Sequence, residues 1–150
     1  MSWIPLTEAD VLTKLSGPEA AAMKTAALGS GQVNPLPEII DQVIREVRGY
    51  CAACDRNRLG DGSTIPDELL GAAINRVRYE LATRLPVNQL LTDARKDANR
   101  DATTLLSRVA ACTFSLEQPV TVTPEVLAQP PAPRITPRDR TFRRSDADGI

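Results

Sequence analysis

The sequence contains no histidine and few aromatic side chains, and both absences narrow what the protein can do. Without histidine, the chain lacks the residue type that most often serves as a general base and as a metal ligand. Aromatic residues make up only 3% of the chain, so the core must consist mainly of Leu, Ile, Val and Ala. We therefore expect a helical body and no active site built around an imidazole.

Long apolar runs and a closed set of cysteine pairs are also missing. No segment approaches the roughly 18 consecutive apolar residues of a membrane-spanning helix, so we expect no membrane partner. Residues 1–8 have neither the basic start nor the apolar run of a signal peptide. Three cysteines are an odd number, which does not fit a closed disulfide framework. These features predict a protein made in a reducing cytoplasm.

Prolines and arginines dominate the chain from residue 118 to residue 150. Each proline lacks a backbone N–H and biases the preceding residue toward extended conformations, so a helix cannot continue there. Residues 134–144 carry five arginines and one acid, whereas residues 1–133 carry 13 basic and 16 acidic side chains. We predict a helical bundle domain over 1–117 and an extended C-terminal arm over 118–150, with the affinity for acidic partners in the arm.

Capping patterns mark the starts of the predicted helices. In a capping box, a hydroxyl side chain accepts a hydrogen bond from the third helical residue, and an acid at that position reaches back. The pattern occurs three times, at Thr7 with Asp10, Ser16 with Glu19, and Thr64 with Asp67. A fourth start is Asn34-Pro35, where Asn caps and Pro fits the first turn. Together with the turn residues, these starts predict helices over about 8–15, 18–28, 36–55, 66–84 and 89–112.

Apolar residues recur three or four positions apart in the three long predicted helices, which places them on one face of each helix. The predicted faces are Ile39 or Ile40, Val43, Val47, Tyr50 and Cys54; then Leu70, Ala73, Ile74, Val77 and Leu81; then Leu91, Ala94, Ala98, Leu105 and Val109. The fold class predicted is all-α, an antiparallel bundle of three long helices with two short N-terminal helices across one end. Only Val120–Val122 alternates like a strand, and it is too short to stand alone.

The C-x-x-C spacing of Cys51 and Cys54 is found in redox sites and in zinc sites. A redox site favours the first cysteine at a helix N-terminus, where its pKa falls, but both residues lie near a predicted helix C-terminus. A structural zinc site requires four ligands, and the chain, with Cys112, offers three thiolates and no imidazole. We interpret the cysteines as core thiols, with redox or metal chemistry as the alternative.

Other polar motifs have simple structural interpretations. The Asp67-Glu68 pair could act in acid–base chemistry, but at a helix start it more simply offsets the helix dipole. The charged series over 93–101 is typical of a solvated helix face, with a binding surface as the alternative. The glycine-containing stretches at 29–31 and 60–62 lack the Gly-Lys-Ser/Thr ending of a phosphate-binding loop. We expect no enzyme, no cofactor and no metal.

Two apolar residues lie among the arginines of the arm, and this mixture is typical of a docking peptide, which combines apolar anchors with charged contacts. The predicted partner-binding residues are Arg134, Ile135, Arg138, Arg140, Phe142, Arg143 and Arg144. One alternative is a flexible tail without a partner. Another is a nucleic-acid-binding module whose arginine tail contacts phosphate, although the body is mildly acidic and shows no recognition helix.

Three segments of the predicted helical domain form a characteristic series. They are Thr7-Glu8-Ala9-Asp10-Val11-Leu12, the run Ile39-Ile40-Asp41-Gln42-Val43-Ile44-Arg45-Glu46-Val47-Arg48-Gly49-Tyr50, and Ile65-Pro66-Asp67-Glu68-Leu69. Together they resemble head–tail connector proteins of tailed bacteriophages, and more narrowly the small head-completion proteins of Mu-type phages and prophages. The resemblance covers about residues 5–117. Members of the family commonly have a residue other than cysteine after the Gly-Tyr pair, so the resemblance implies no role for Cys51 or Cys54.

The resemblance implies a structural role rather than a reaction. Such proteins are helical bundles that form a ring, usually of twelve copies, below the portal protein at one vertex of the virion head. Many end in an extended segment that docks on the portal or on neighbouring subunits, and we assign that role to residues 118–150 alone. The expected partners are the portal, other neck or tail proteins, further copies of the chain and, non-specifically, DNA in the channel. The expected location is the head–tail junction, after synthesis in the cytoplasm of the bacterial host.

Overall fold

A computed structural model describes residues 3–26, 34–84 and 90–119, and these residues are mainly helical, as the sequence predicts. All of them belong to one unit, Met1–Val120. In chain order the elements are β1 (Trp3–Pro5), α1 (Glu8–Lys14), α2 (Gly17–Ala26), α3 (Leu36–Ala52), β2 (Thr64–Pro66), a 3₁₀ turn (Asp67–Leu69), α4 (Leu70–Arg84) and α5 (Asp93–Ala110). None of the helices in these ranges is long and apolar enough to cross a bilayer.

Helix α3 contacts four other elements of the fold. It packs against α1, β2, α4 and α5. Its apolar residues recur at helical spacing, so one face is buried along the whole length of the helix. The buried side chains are Leu36, Ile39, Ile40, Val43, Ile44, Val47 and Cys51. The predicted face is confirmed, except that Tyr50 is only half-buried and Cys54 lies just beyond the end of the helix.

Helices α4 and α5 pack against each other and against α3. The predicted face of α4 is confirmed, with Ala73, Ile74, Val77 and Leu81 buried. The predicted face of α5 is partly wrong, because Ala94 is exposed and the buried residues are Ala102, Leu106 and Val109. The reason is that the first turns of α5 meet α2 through a charged side chain, described below, instead of an apolar one.

The capping predictions hold at two starts. The Thr7 hydroxyl accepts a hydrogen bond from the Asp10 N–H, while the Asp10 carboxylate accepts one from the Thr7 N–H at 2.9 Å. The Thr7 hydroxyl also donates to the Asp10 carboxylate at 2.5 Å, and this hydrogen bond, followed by the one from the Thr7 N–H, lowers the pKa of Asp10. At the start of α3, the side-chain oxygen of Asn34 accepts a hydrogen bond from the Leu36 N–H at 3.0 Å.

The capping prediction at Thr64 is wrong. Thr64 belongs to β2, and its hydroxyl donates to the Asp61 carbonyl at 2.6 Å. The strand pairs antiparallel with β1 in the register Trp3 with Pro66, Ile4 with Ile65, and Pro5 with Thr64. Neither strand was predicted, because three residues are too few to show alternation. The 3₁₀ turn and α4 therefore begin only after Pro66.

The buried carboxylate of Glu19 connects α2 to α4 and α5. It accepts hydrogen bonds from the Ser16 N–H at 2.7 Å and from the Ser16 hydroxyl at 2.8 Å. The acid of the predicted capping box thus reaches back to Ser16, and the hydroxyl donates to that acid. It also forms ion pairs with Arg78 of α4, at 3.4 Å, and with Arg95 of α5. The Glu19 residue is only 4% exposed. Burial lowers the pKa of both arginines, but arginine is so basic that both stay charged at neutral pH.

We expect Glu19→Gln to lower the free energy of unfolding by about 3–5 kcal/mol, because it leaves two partly buried guanidinium groups without their counter-charge. Denaturant titration at neutral pH measures this change. The matched control is Glu38→Gln, since the Glu38 side chain is 76% exposed and lies 3.8 Å from Arg84. The control change should cost less than about 1 kcal/mol. Equal losses in the two variants would show that Glu19 does not anchor α2.

Candidate functional site

The residues that follow α5 lie against the loop between α3 and β2 and against the start of α4. We call residues Thr113–Pro119 the arm root, since the predicted arm begins at its end. The Glu117 N–H donates to the Glu68 carboxylate at 2.9 Å, and the Glu117 carbonyl accepts from the indole N–H of Trp3 at 3.2 Å. The Arg58 N–H donates to the side-chain oxygen of Gln118 at 2.7 Å. The arm root is therefore held at a defined place on the helical body.

Glu68 has a role that sequence reasoning missed. We expected its carboxylate to offset the helix dipole, whereas the structure uses it to hold the backbone of Glu117. The contact joins residues 49 positions apart, so no local pattern could have shown it. The helix-face prediction for 93–101 agrees with two exposed ion pairs, Lys96 with Asp93 at 3.1 Å and Arg100 with Asp97 at 2.8 Å.

Helix α5 ends in a Schellman motif that turns the chain into the arm root. The Thr113 N–H donates to the Arg108 carbonyl at 3.0 Å, and the Cys112 N–H donates to the Val109 carbonyl at 3.1 Å. Cys112 occupies the position of this motif at which glycine is usual, with a φ of 58°. A residue with a Cβ pays about 1–2 kcal/mol for this left-handed conformation. The choice of cysteine at this position therefore requires an explanation.

The explanation is a disulfide bond between Cys112 and Cys54, whose Cα atoms are 5.4 Å apart. The bond joins the end of α5 to the turn after α3 and closes a loop over a sequence separation of 58. In the chain-entropy account, a loop of this length stabilises the folded state by about 4 kcal/mol. Disulfide formation thus holds the origin of the arm root on the body.

This bond corrects the prediction of core thiols for Cys54 and Cys112. An odd number of cysteines does not exclude one pair, and only the packing of α5 beside α3 brings these two together. For Cys51 the prediction is confirmed, because it is a free and fully buried thiol on α3. Among the described residues, no group of three or more potential ligands could hold a metal ion.

A cleft of about 170 Å³ lies beside the disulfide. Both bonded cysteines line it, together with Arg56, Asn57, Phe114 and Leu116 and with further polar residues of the arm root. Cys54 is only 2% exposed, whereas Cys112 is half-buried. The cleft is therefore formed by the loop after α3 on one side and the arm root on the other.

Trp3 closes the same end of the body. Its ring packs so closely on the backbone of Gly60 that a Cβ added there would lie 2.8 Å from three ring carbons. The Arg48 guanidinium lies 5.9 Å from the centre of the indole ring and donates to the carbonyls of Thr64, at 2.6 Å, and Gly60, at 3.1 Å. The predicted turn at 60–62 is thus also a packing surface, which required a residue without a side chain.

The residues predicted to bind a partner, Arg134, Ile135, Arg138, Arg140, Phe142, Arg143 and Arg144, lie outside the described residues. The structure does not test whether they come together, and the alternating segment Val120–Val122 also lies outside the described residues. The three segments that resemble connector proteins fall on α1, on α3, and on β2 with the 3₁₀ turn. All three contribute buried residues: Val11, the apolar face of α3, Ile65 and Leu69.

We expect Gly60→Ala to lower the free energy of unfolding by about 1–3 kcal/mol, because the rigid indole ring must move away from the new methyl group. The matched control is Gly71→Ala, since a Cβ on Gly71 in α4 meets no atom within 4 Å. The control should stabilise the protein by up to about 1 kcal/mol, the usual preference of a helix for Ala over Gly. Tryptophan fluorescence during denaturation reports on both variants, because the chain has a single Trp. A neutral Gly60→Ala would contradict the close packing.

The Cys51 thiol predicts an alkaline loss of stability. Burial raises its pKa from 9.0 to about 11; the cation of Arg48 lowers it and the Glu68 carboxylate raises it, both to a lesser degree. Since the folded state holds this proton more tightly, the stabilisation is complete below pH 9 and is lost as the pH rises toward 11. Cys51→Ala should lower stability at pH 7 through a cavity but flatten the decline between pH 9 and pH 11. Urea titrations at several pH values measure the free energy of unfolding of both proteins. If it declined equally with pH in the two proteins, the result would contradict a buried, protonated thiol.

No protein-family model matches the sequence, and neither curated proteins nor solved structures show significant similarity to it. A functional conclusion must therefore come from the residues themselves. The structure supplies a helical body and a fixed arm root, and the sequence supplies the arginine-rich arm and the three connector-like segments.

Proposed function

We propose that this chain is a structural adaptor in the neck of a tailed bacteriophage. Copies of the chain form a ring, of twelve subunits in the arrangement implied by the resemblance, that joins the portal to the tail machinery around the DNA channel. The helical bodies pack side by side, and each C-terminal arm docks on the portal or on a neighbouring subunit. The protein performs no reaction, so its mechanism is one of geometry and assembly.

The observation that carries the proposal is the fixed origin of the arm. A disulfide, a Schellman motif and hydrogen bonds to Trp3, Glu68 and Arg58 hold the arm root on the helical body. A docking segment transmits force and position only if its origin does not move relative to the body. A tail without a partner needs no such attachment, and this contrast favours a connecting role.

The finer fold that we propose matches this role. The three long helices, α3, α4 and α5, form an antiparallel bundle with α1 and α2 across one end, and residues 118–150 form an extended arm. The interlocking contacts of α3 with both other long helices support the bundle. A rigid bundle suits a ring subunit, because neighbouring copies then meet through fixed surfaces.

The arm becomes ordered on assembly in this proposal. Prolines restrict its backbone to extended conformations before it binds, which lowers the entropy lost on docking. Ile135 and Phe142 supply apolar anchors, while the arginines supply contacts to carboxylates of the portal. Only contacts with a preformed portal offset the conformational entropy that the arm still loses on docking. Free subunits therefore stay apart until a portal is present.

A truncation after Pro119 tests the role of the arm, because it keeps every described contact of the arm root. We expect the truncated protein to retain the helical content and the free energy of unfolding of the full chain, and to lose co-sedimentation with portal or procapsids. A truncated protein that still joins heads and yields infectious particles at normal efficiency would contradict the proposal.

Substitutions within the arm separate the two kinds of contact. Ile135→Ala or Phe142→Ala should weaken docking at every salt concentration, since the loss is buried apolar area. Changing Arg138, Arg140, Arg143 and Arg144 to Gln should weaken docking most at low salt, where charges are least screened. The matched control replaces the same four residues with Lys, which keeps the charge. A steep decrease of DNA affinity with salt for the isolated full-length chain, with no portal binding, would instead favour the nucleic-acid alternative.

A further inference from the structure

We propose that Cys54 and Cys112 form a reversible dithiol–disulfide site, reached through the cleft beside them, whose oxidation state decides whether the arm root is covalently fixed to the helical body. The reactants are a dithiol reductant and, for the reverse step, a low-molecular-weight disulfide. The inference concerns only described residues, so it holds whether or not the chain is a neck protein.

The two cysteine residues differ in exposure, and this difference sets the expected point of attack. Cys54 is 2% exposed, whereas Cys112 is half-buried and faces the chain reversal at the end of α5. Both line the cleft of about 170 Å³, which also includes Arg56. An incoming thiolate therefore meets Cys112 first, in a cleft whose arginine attracts negative charge.

Reduction proceeds by two thiol–disulfide exchanges. A thiolate of the dithiol attacks the sulfur of Cys112, the bond between the two protein sulfurs breaks, and Cys54 leaves as a thiolate that takes a proton from solvent. The second thiol of the reductant, after losing its proton, attacks the mixed disulfide and releases Cys112 as a thiolate that is protonated in turn. Two electrons pass to the protein, and the reductant ends as a disulfide. Oxidised glutathione reverses the sequence and is reduced to two thiols.

Cys51 is placed so that it does not compete in this exchange. It lies three residues before Cys54, but it is fully buried in the core, and burial raises the pKa of its thiol to about 11. At neutral pH it is therefore almost entirely protonated, and only a thiolate attacks a disulfide. The same burial prevents the incoming reductant from reaching it. The site thus has two reacting cysteines and one protected cysteine.

The backbone of Cys112 makes the two oxidation states unequal. Its left-handed conformation, at a φ of 58°, disfavours any residue with a Cβ, and the disulfide holds it there. After reduction the conformational cost remains but the covalent bond is gone. The arm root is then held by noncovalent contacts, among them the buried Leu116, the α5 terminus and the hydrogen bonds to Trp3, Glu68 and Arg58. Reduction should therefore raise the frequency with which the arm root detaches while the helical body stays folded.

Hydrogen exchange of the full chain, oxidised and after dithiothreitol, tests this inference. We expect amide exchange over residues 113–118 to accelerate at least about tenfold on reduction, with a smaller change in the middle of α3. Under native conditions the rate of reduction should rise in proportion to dithiothreitol concentration, because the cleft admits the reductant. A rate independent of concentration, or no change in exchange over the arm root, would overturn the proposal.

Two variants provide the controls. Cys112→Gly removes the disulfide and also the left-handed cost, so its exchange over 113–118 should be insensitive to dithiothreitol and lie between those of oxidised and reduced wild-type protein. Cys112→Ser, which keeps the left-handed cost, should behave like reduced wild-type protein and serves if the glycine variant does not fold. Cys51→Ala should retain the full response to reductant. A response abolished by Cys51→Ala, or a disulfide that includes Cys51 by peptide mapping, would contradict the assignment.

Discussion

The burial of the apolar face of α3 is the interaction on which the rest of the structure depends. This helix contacts α1, β2, α4 and α5, so each of these elements finds its position by covering part of one aliphatic surface. Each fully buried Val, Leu or Ile contributes about 1.5–3 kcal/mol relative to an exposed one. Helix α3 carries four such residues, and Ile40 and Ile44 beside them are each only 6% exposed. The chain has few aromatic side chains, and its aliphatic residues, which are similar in size, can pack closely between the helices.

Polar clusters then select one arrangement among those that aliphatic packing allows. Glu19 joins α2 to α4 and α5, and Arg76 of α4 joins Glu46 of α3, at 3.0 Å, to Asn99 of α5, at 2.7 Å. Apolar packing has no direction, whereas these ion pairs form only at one relative position of the helices. The selection has a cost, since the Nε atoms of Arg76 and Arg78 are buried without a hydrogen-bond partner in the described part of the chain.

Functional features concentrate at the end of the body where α3 and α5 terminate. The disulfide, the cleft, the Trp3 packing and the arm root all lie there. In the proposed neck function, this end is a fixed attachment for a docking segment. In the proposed redox site, the attachment is covalent only under oxidising conditions. Both proposals use the arm root and the disulfide between Cys54 and Cys112, but only the neck function also depends on the partner-binding residues over 134–144. In a virion component, a reducing cytoplasm during synthesis would favour the two thiols, and an oxidising medium after release would favour the disulfide.

The sequence by itself determined the helices, most of their apolar faces and the turn at 60–62, because these follow from spacing and capping between residues at most four positions apart. The error in the face of α5 arose where a buried charge, and not an apolar residue, made the contact. Only the tertiary structure decided the pairing of β1 with β2, the disulfide between Cys54 and Cys112, and the contact of Glu68 with Glu117. Each of these joins residues separated by 49 or more positions. Such contacts depend on how whole helices pack, and a local pattern holds no information about which distant residue the packing will bring near.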